Sequence, residues 1–216
     1  GKDVPVVGAT VSLDANPVIR AVTNADGFFE LGLQDLNGDG AADGLPAPEF
    51  FVHIDGGTGT SAVLGADSKY ATLGKPFHSV PGQRVQLRMD GSPVDADPAA
   101  PGQQFHVYLP PMSMQDIVPL DPNQDRAVGF GPSVQGKFAE LFPDLTADER
   151  ALLSLMSVTY PAGSAVDADG TVATKATIIP VNPSRLPAPL PPGQNPKLVI
   201  SVQAGTDKGF NLAGGN

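Results

Sequence analysis

The sequence predicts an all-β protein built as two tandem β-sandwich domains, with one short helix in the second. Three observations indicate this fold class. The 216 residues include 25 Gly and 23 Pro, which interrupt long helices and favour short strands joined by turns. A hydrophobic content of 41% is enough for a real core. Many apolar residues alternate with polar ones, which is the pattern of half-buried strands.

Charge and cysteine content exclude several classes of function. The formal net charge of −10 opposes binding to nucleic acid and to anionic membrane surfaces, and it favours divalent cations. The chain has no cysteine, so neither disulfides nor thiol chemistry contributes. No apolar run approaches the ~20 residues that cross a bilayer, and no signal segment stands at Gly1. We therefore expect a mature form or an excised piece, with no nucleic-acid partner and no membrane insertion.

The first half of the chain predicts strands joined by turns. Ala9, Val11 and Leu13 alternate with polar residues, which indicates a strand that ends at Leu13. Further strands are expected over residues 18–23, 28–33, 50–54, 70–73 and 84–89, with a loop over residues 56–68. Residues 24–27 predict a turn in which Gly27 takes a positive φ. Residues 90–102 lack apolar periodicity, so a boundary near residue 97 gives domains 1–97 and 98–216.

The second half predicts strands around a single helix. Strand patterns occur over residues 105–109, 117–120, 176–181 and 198–202. The helix is expected from Thr146 to Met156, because Thr146 and Glu149 match a capping box. An apolar stripe on this helix, formed by Leu152, Leu153, Leu155 and Met156, is expected to pack into the core.

One stretch predicts a specific chemistry. Oxygen-bearing side chains stand at alternate positions in Asp35, Asn37 and Asp39, Gly40 follows, and Asp43 returns at the ninth position. Calcium takes six to eight oxygen ligands, and such a spacing on a tight turn lets them converge on one point. We predict a calcium site made by Asp35, Asn37, Asp39, the Ala41 carbonyl and Asp43. The alternative is a solvated Gly/Asp turn that binds nothing.

The loop differs from an EF-hand at its twelfth position. Pro46 stands there instead of a bidentate glutamate, and Glu49 is a candidate replacement. The local pattern is similar to the calcium loops of dockerins, thrombospondin type 3 repeats and many bacterial surface proteins.

A second stretch, Asp121, Asn123 and Asp125, repeats the spacing of the first three oxygen-bearing residues. Arg126 stands where a calcium loop needs glycine, so a β-turn begun by Asp121 and Pro122 is the preferred interpretation, and a second metal site is the alternative.

Motifs of catalysis are missing from the sequence. The histidines His53, His78 and His106 have no neighbouring ligand at a zinc spacing. The sequence contains no nucleophile elbow, metalloprotease helix or phosphate-binding loop. We therefore expect no enzyme, although an acidic pair for glycoside hydrolysis stays open among the 23 acidic residues.

Two motifs carry a family resemblance. Gly-Ala-x-Val-x-Leu at residues 8–13 and Thr-x-x-Asp-Gly-x-Phe at residues 23–29 resemble carboxypeptidase regulatory-like and collagen-adhesin B-type domains. The resemblance implies a transthyretin-like, Ig-like sandwich over about residues 3–90 and no peptidase activity, since these are accessory domains. In adhesin relatives a lysine near the first strand can form an isopeptide bond. Lys2 lies outside that strand, so no such bond is expected.

The order of motifs over residues 156–202 resembles Pro-rich β-sandwich modules, loosely like ZU5 domains, of bacterial YD-repeat surface proteins. In that pattern another strand normally follows, so the resemblance implies that the second domain lacks a terminal strand.

Together the loop and the resemblances predict a non-catalytic, calcium-stabilised structural or adhesive module of an extracellular bacterial surface protein. Its expected partners are neighbouring domains or subunits of a surface assembly. One alternative is a self-assembling fibre subunit, a homopolymer in which residues 3–7 of a neighbour add a strand to the edge at residues 198–202. Another is a ligand-binding accessory module of a secreted enzyme, which the absence of Trp and the presence of only 3 Tyr disfavour.

Overall fold

A computed structural model describes residues 4–14, 16–32, 35–41, 43–45, 49–78, 85–87, 93–95, 107–166, 170–186, 192–194 and 196–205. Strands make up most of the regular structure in these ranges, and every strand pair is antiparallel. The predicted all-β class is confirmed, whereas the arrangement as two tandem sandwiches stays a prediction. Among these residues no helix has the length and apolarity needed to cross a membrane.

By its internal packing the chain divides into two compact units. The first consists of Gly1–Val63, Leu73–Tyr108 and Arg185–Gln194, and the second of Leu64–Thr72, Leu109–Ser184 and Asn195–Asn216. The predicted boundary near residue 97 lies outside the described residues.

The strands are β1 Thr10–Leu13, β2 Arg20–Val22, β3 Glu49–Asp55, β4 Ser68–Tyr70, β5 Leu73–His78, β6 Val85–Leu87, β7 Pro93–Asp95, β8 Pro111–Ser113, β9 Val118–Pro119, β10 Arg126–Gly129, β11 Ser157–Tyr160, β12 Lys175–Val181 and β13 Val199–Gly205. The α-helices are α1 Pro132–Gln135, α2 Phe138–Leu141 and α3 Ala147–Leu153, and single 3-10 turns occur at Gly56–Thr58, Met114–Asp116 and Pro183–Arg185.

The first unit contains a four-stranded sheet in the order β2-β1-β3-β5. Its predicted alternation is confirmed, since Val11 and Leu13 on β1 and Val52 and Ile54 on β3 are all buried. The predicted turn before residue 28 also forms. Gly27 has a φ of 79°, and the backbone N–H groups of Asp26 and Phe28 donate to the side-chain oxygen of Asn24.

The strand predicted over residues 28–33 does not form in residues 28–32, and Leu33 lies outside the described residues. Gly32 has a φ of 83°, which takes the backbone out of the extended region. Exposure nevertheless alternates along this segment, since Phe28 is 48% exposed whereas Phe29 and Leu31, on the expected inward face, are half-buried. The sequence prediction also missed most of β5, because Gly74 and Pro76 interrupt its apolar pattern. Proline is tolerated there because β5 is an edge strand.

The second unit holds a three-stranded sheet in the order β13-β12-β9 and two strand pairs, β10-β11 and β4-β8. Its main core cluster combines buried residues from several elements: Val128, Phe130, Phe138, Phe142, Leu145, Leu153, Ala176 and Ile178. The rings of Phe130 and Phe138 meet edge to face, with their centroids 5.4 Å apart. The core of this unit therefore forms where the short helices pack on the strands.

Helix α3 begins with the predicted capping box, since Thr146 and Glu149 bond to each other's backbone N–H groups. The prediction of an inward Met/Leu stripe is wrong for three of its four residues. Leu152, Leu155 and Met156 are 64%, 78% and 38% exposed, and only Leu153 is buried. The helix ends at Leu153, so the stripe does not continue on one helical face. Helices α1 and α2 correct the prediction of a single helix, and at four residues each they are too short to produce a period.

A buried carboxylate caps helix α1. The N-cap residue, Gly131, has no side chain to do so, and Asp116 accepts hydrogen bonds from the backbone N–H groups of Ser133 and Val134 at 3.0 and 3.2 Å. Asp116 is only 3% exposed. A Cβ added at Gly131 would lie 2.2 Å from Cγ of Asp116, so glycine is required for the carboxylate to approach.

A buried glutamine joins residues 64–72 to the rest of the second unit. The Gln203 side chain, on β13, is fully buried. Its Oε1 accepts from the N–H of Thr72, and its Nε2 donates to the carbonyl of Thr72, both at 3.2 Å. Strand β4 extends the same connection by pairing with β8.

Candidate metal centre

The acidic loop, defined here as residues 35–43, precedes β3 in the first unit. Its described residues, which are all except Ala42, are exposed. Gly38 and Gly40 have φ values of 78° and 87°, where a residue with a Cβ is strained. A Cβ added at either glycine would have no atom within 4 Å. The backbone conformation, and not lack of space, therefore requires glycine at these two positions.

The Asp35 carboxylate organises the first half of the acidic loop. Its Oδ1 accepts the N–H of Gly38 at 2.6 Å, and its Oδ2 accepts the N–H of Gly40 at 2.8 Å. The Gly40 N–H is the largest cause that holds the pKa of Asp35 below its ordinary value of 3.8, and desolvation, the second-largest cause, acts in the opposite direction. Asp35 is therefore an anion at neutral pH.

The Asp43 carboxylate closes the acidic loop. It accepts the N–H of Leu36 at 2.5 Å and the side-chain N–H of Asn37 at 2.8 Å. Between these contacts, Asn37 Oδ1 accepts the N–H of Asp39, and Asp39 Oδ1 accepts the N–H of Ala41, at 2.9 and 2.8 Å. Hydrogen bonds thus link Asn37, Asp39, Ala41 and Asp43 in series, whereas Asp35 bonds to the backbone of the two glycines.

The donor set of the loop fits calcium, because carboxylate, amide and carbonyl oxygens are the ligands this ion prefers. The carboxylates do not yet converge. Within the ranges that the structure describes, no three His, Cys, Asp or Glu side chains lie close enough together to hold a metal ion. Binding calcium would therefore require some oxygens to exchange a backbone N–H for the ion. Pro46, which stands at the twelfth position, lies outside the described residues, and Glu49, its candidate replacement as a ligand, begins β3.

The second loop, defined as residues 121–125, uses the repeated spacing differently. Asp121 Oδ1 accepts the N–H of Asn123 at 2.8 Å, and the Asp121 carbonyl accepts the N–H of Gln124 at 3.2 Å. This is the predicted β-turn. Asp125 instead accepts the N–H of Ala162 at 2.9 Å, across to another segment. A shallow depression of about 230 Å³ borders the loop and extends from Pro119 to Arg126.

The three histidines are not brought into a described metal site. His53 lies half-buried in β3. His78 ends β5, but its side chain is not described, and His106 lies outside the described residues.

Sequence reasoning missed a buried hydroxyl on β11. The Oη of Tyr160 is buried and has no hydrogen-bond partner among the described residues. Desolvation raises the pKa of Tyr160 to about 12. Tyr160 borders a cavity of about 10 Å³ beside the second loop, close to the volume that one water molecule requires. A tyrosine in a strand gives no signal in the sequence that its hydroxyl is enclosed.

Sequence reasoning also missed a buried lysine, Lys75, which is 2% exposed on β5. Lysine is rarely enclosed in a protein core. Because Lys75 lies between Gly74 and Pro76, the sequence around it shows no strand alternation from which its burial could be predicted.

Compared with models of protein families, with curated proteins and with solved structures, the chain matches none. The resemblance to regulatory-like and adhesin domains therefore stays a prediction from the two motifs in residues 8–29.

Proposed function

We propose that the chain is a non-catalytic, calcium-stabilised structural or adhesive module of an extracellular bacterial surface protein, and that its two units are tandem β-sandwiches. The observation that carries the proposal is the acidic loop. It joins Asp35, Asn37, Asp39 and Asp43 in one exposed turn that two glycines with positive φ maintain.

Electrostatics favour a cation at this loop. Three carboxylates lie within nine residues of a chain whose net charge is −10, and hydrogen bonds keep Asp35 ionised. A divalent ion among them would offset their mutual repulsion. Asp35, Asn37, Asp39 and Asp43 would hold it with side-chain oxygens, and Ala41 with its carbonyl.

The position of the loop supports a mechanical role. It immediately precedes the segment leading into β3, which pairs with β1 on one side and β5 on the other. An ion that fixes the loop would therefore fix the entry into the central part of the sheet. A ligand bound only by the folded chain raises its stability, which is the property that a module exposed outside the cell needs.

The test is a thermal melt of the full chain in calcium, in magnesium and in chelator. With a dissociation constant of about 10⁻⁴ to 10⁻³ M, about 10 mM calcium stabilises the fold by about 1.4 to 2.7 kcal/mol. Magnesium should stabilise it less, because it requires stricter octahedral geometry. Asp43→Ala should remove the calcium response. Melts that coincide in calcium and chelator would refute the calcium part of the proposal.

A fibre subunit is the second candidate function, and the position of β13 favours it. Seven residues of β13 pair with β12, and among the strands that the structure describes none pairs with the other side of β13. An edge strand can accept a strand from a second copy. The proposed donor, residues 3–7, is not wholly free, because Val7 exchanges two backbone hydrogen bonds with Thr60, both at 2.8 Å.

Sedimentation of the full chain in calcium separates the two candidates. A fibre subunit forms polymers that grow with concentration, and deletion of residues 1–6, which leaves Val7 in place, abolishes them. A single monomeric species at every concentration would leave the simple module as the function.

A further inference from the structure

The acidic loop contains the peptide Asn37–Gly38, in which an amide side chain precedes a glycine. A bond from the backbone nitrogen of Gly38 to the side-chain Cγ of Asn37 would close a five-membered ring, because three atoms of Asn37 lie between them along the covalent chain. Glycine has no Cβ to obstruct its nitrogen, and the space around Gly38 is open. Asn37 itself is exposed, so water has access to the product.

Two contacts in the loop favour this ring closure. The attacking N–H of Gly38 points at Asp35 Oδ1, 2.6 Å away, and this carboxylate can take the proton as the new bond forms. The carbonyl oxygen under attack, Asn37 Oδ1, accepts the N–H of Asp39 at 2.9 Å. A donor at that oxygen stabilises the negative charge that develops on it during attack. The same loop thus supplies a proton acceptor and an oxyanion donor to one peptide.

We propose that Asn37 is a site of spontaneous deamidation. Gly38 N bonds to Asn37 Cγ while its proton passes to Asp35. That proton then returns to Nδ2, the Cγ–Nδ2 bond breaks, ammonia leaves, and a succinimide remains. Water then adds to one of the two ring carbonyls and breaks its bond to nitrogen. The product is aspartate or isoaspartate at position 37, with no oxidant or reductant consumed.

The modification changes the loop that it occurs in. Asn37 Nδ2 donates to Asp43 Oδ1 at 2.8 Å, and a carboxylate at position 37 would replace this hydrogen bond with repulsion between like charges. Isoaspartate would also add a methylene to the backbone between two residues whose turn is set by Gly38 and Gly40. Deamidation therefore opens the acidic loop, whether or not the loop binds a metal ion.

The chain contains its own control in Asn24. Asn24 is exposed, and its Oδ1 also accepts two backbone N–H groups, those of Asp26 and Phe28. The residue that follows is Ala25, whose Cβ obstructs attack by its nitrogen. Asn24 and Asn37 thus share exposure and a side-chain oxygen that accepts backbone N–H groups, and they differ in the residue that follows and in the Asp35 carboxylate that accepts the Gly38 N–H.

The test is to incubate the full chain in chelator at mildly alkaline pH and to follow each asparagine by peptide mass spectrometry and an isoaspartate assay. Asn37 should convert several-fold faster than Asn24, with both aspartate and isoaspartate formed. Asn37→Gln should abolish the signal at this position, and Asp35→Asn should slow conversion several-fold. Equal rates at Asn37 and Asn24 would overturn the proposal, and an unchanged rate in Asp35→Asn would remove Asp35 from the proton transfer.

Discussion

The acidic loop and the second loop begin with the same arrangement of aspartate, asparagine and aspartate, yet they fold differently. In the acidic loop, Asp35 accepts two N–H groups from residues three and five positions later. In the second loop, Asp121 closes a single β-turn, and Asp125 turns away to the N–H of Ala162. The spacing of acidic residues therefore does not by itself determine which backbone N–H groups their carboxylates accept.

The sixth position separates the two loops. Gly40 occupies it in the acidic loop with a φ of 87°, which bends the backbone back toward Asp35. In the second loop the sixth residue is Arg126, the first residue of β10, paired in register with Tyr160. An extended residue committed to a strand cannot also turn its N–H toward the first aspartate. The glycine, more than the aspartates, makes the candidate metal site.

The largest effect is expected on the calcium-dependent rise in melting temperature when the aspartate at the fifth position of each loop, Asp39 or Asp125, is replaced. Asp39→Ala should remove the calcium-dependent rise in melting temperature, because Asp39 is a predicted ligand. Asp125→Ala should keep the full rise, since Asp125 bonds to another segment. Melts of both variants in calcium and in chelator measure the difference. Loss of the response in Asp125→Ala alone would place the ion in the second loop.

A smaller effect, on the free energy of unfolding measured in chelator, is expected when the residue at the sixth position of each loop is replaced. Gly40→Ala should destabilise the fold by about 1 to 2 kcal/mol, the cost of a left-handed backbone for a residue with a Cβ. Arg126→Ala should change the free energy of unfolding by less than about 0.5 kcal/mol, as is usual for an exposed surface residue. Urea unfolding monitored by circular dichroism gives both values. Similar values for the two variants would contradict the role assigned to glycine.

The Asp125 contact should have a still smaller effect on stability without metal. Asp125→Ala removes the acceptor of the Ala162 N–H, and a single hydrogen bond of this kind contributes about 0.5 to 1.5 kcal/mol. Asp125→Asn keeps a side-chain oxygen and should lose less. If both substitutions have the same effect in urea unfolding, the contact with Ala162 does not stabilise the fold.

The smallest expected effect is the change that Asp35 makes in how stability depends on acid pH, and this effect is specific to the acidic loop. The pKa of Asp35 is lower in the folded chain than its ordinary value of 3.8, so the unfolded chain binds the proton first as the pH falls. The stability that ionised Asp35 contributes is therefore complete above that value and is lost as the pH falls through the folded pKa. Melts from about pH 5 to about pH 2 should show a shallower decline for Asp35→Asn than for the unchanged chain.

Glu149, the capping carboxylate of α3, also loses its charge at acid pH. Its effect on stability must therefore be measured separately from that of Asp35. The Thr146 N–H, followed by Lys197, lowers the pKa of Glu149 to about 2. Glu149→Gln should remove its own part of the acid decline and leave the part that depends on Asp35. If the loss of stability with falling pH in the double variant differs from that of the unchanged chain by the sum of the differences in Asp35→Asn and Glu149→Gln, the two carboxylates titrate independently.

Local patterns in the sequence predicted local structure well. The burial of Val11, Leu13, Val52 and Ile54 followed from alternation, and the capping box at Thr146 followed from residue spacing. The five residues of the candidate site were selected by the same kind of local spacing. Whether their oxygens bind N–H groups or an ion was not predictable, because both outcomes use the same residues.

Contacts between residues distant in the sequence could not be predicted, because they correspond to no local pattern in the sequence. Asp116 caps a helix that begins 16 residues later, at Pro132, and its own neighbours show only a short turn. Gly131 is required by that carboxylate, yet in the sequence it is one glycine among 25. The strand predicted over residues 28–33 is absent from residues 28–32, which the structure describes, for the opposite reason: an alternating pattern was present, but Gly32 bends the chain.

The bond between Gln203 and the backbone of Thr72 makes one contact of the second unit depend on the synthesis of β13. Thr72 leaves the ribosome 131 residues before Gln203. Until β13 follows, the backbone groups of Thr72 lack the buried partner that they have in the complete fold, and unpaired polar groups resist burial. Strand β4 can pair with β8 as soon as residues 111–113 are made, so in residues 64–72 it is the buried contact at Thr72 that waits for β13. The second unit therefore lacks this contact until β13, the final strand among the described residues, has been made.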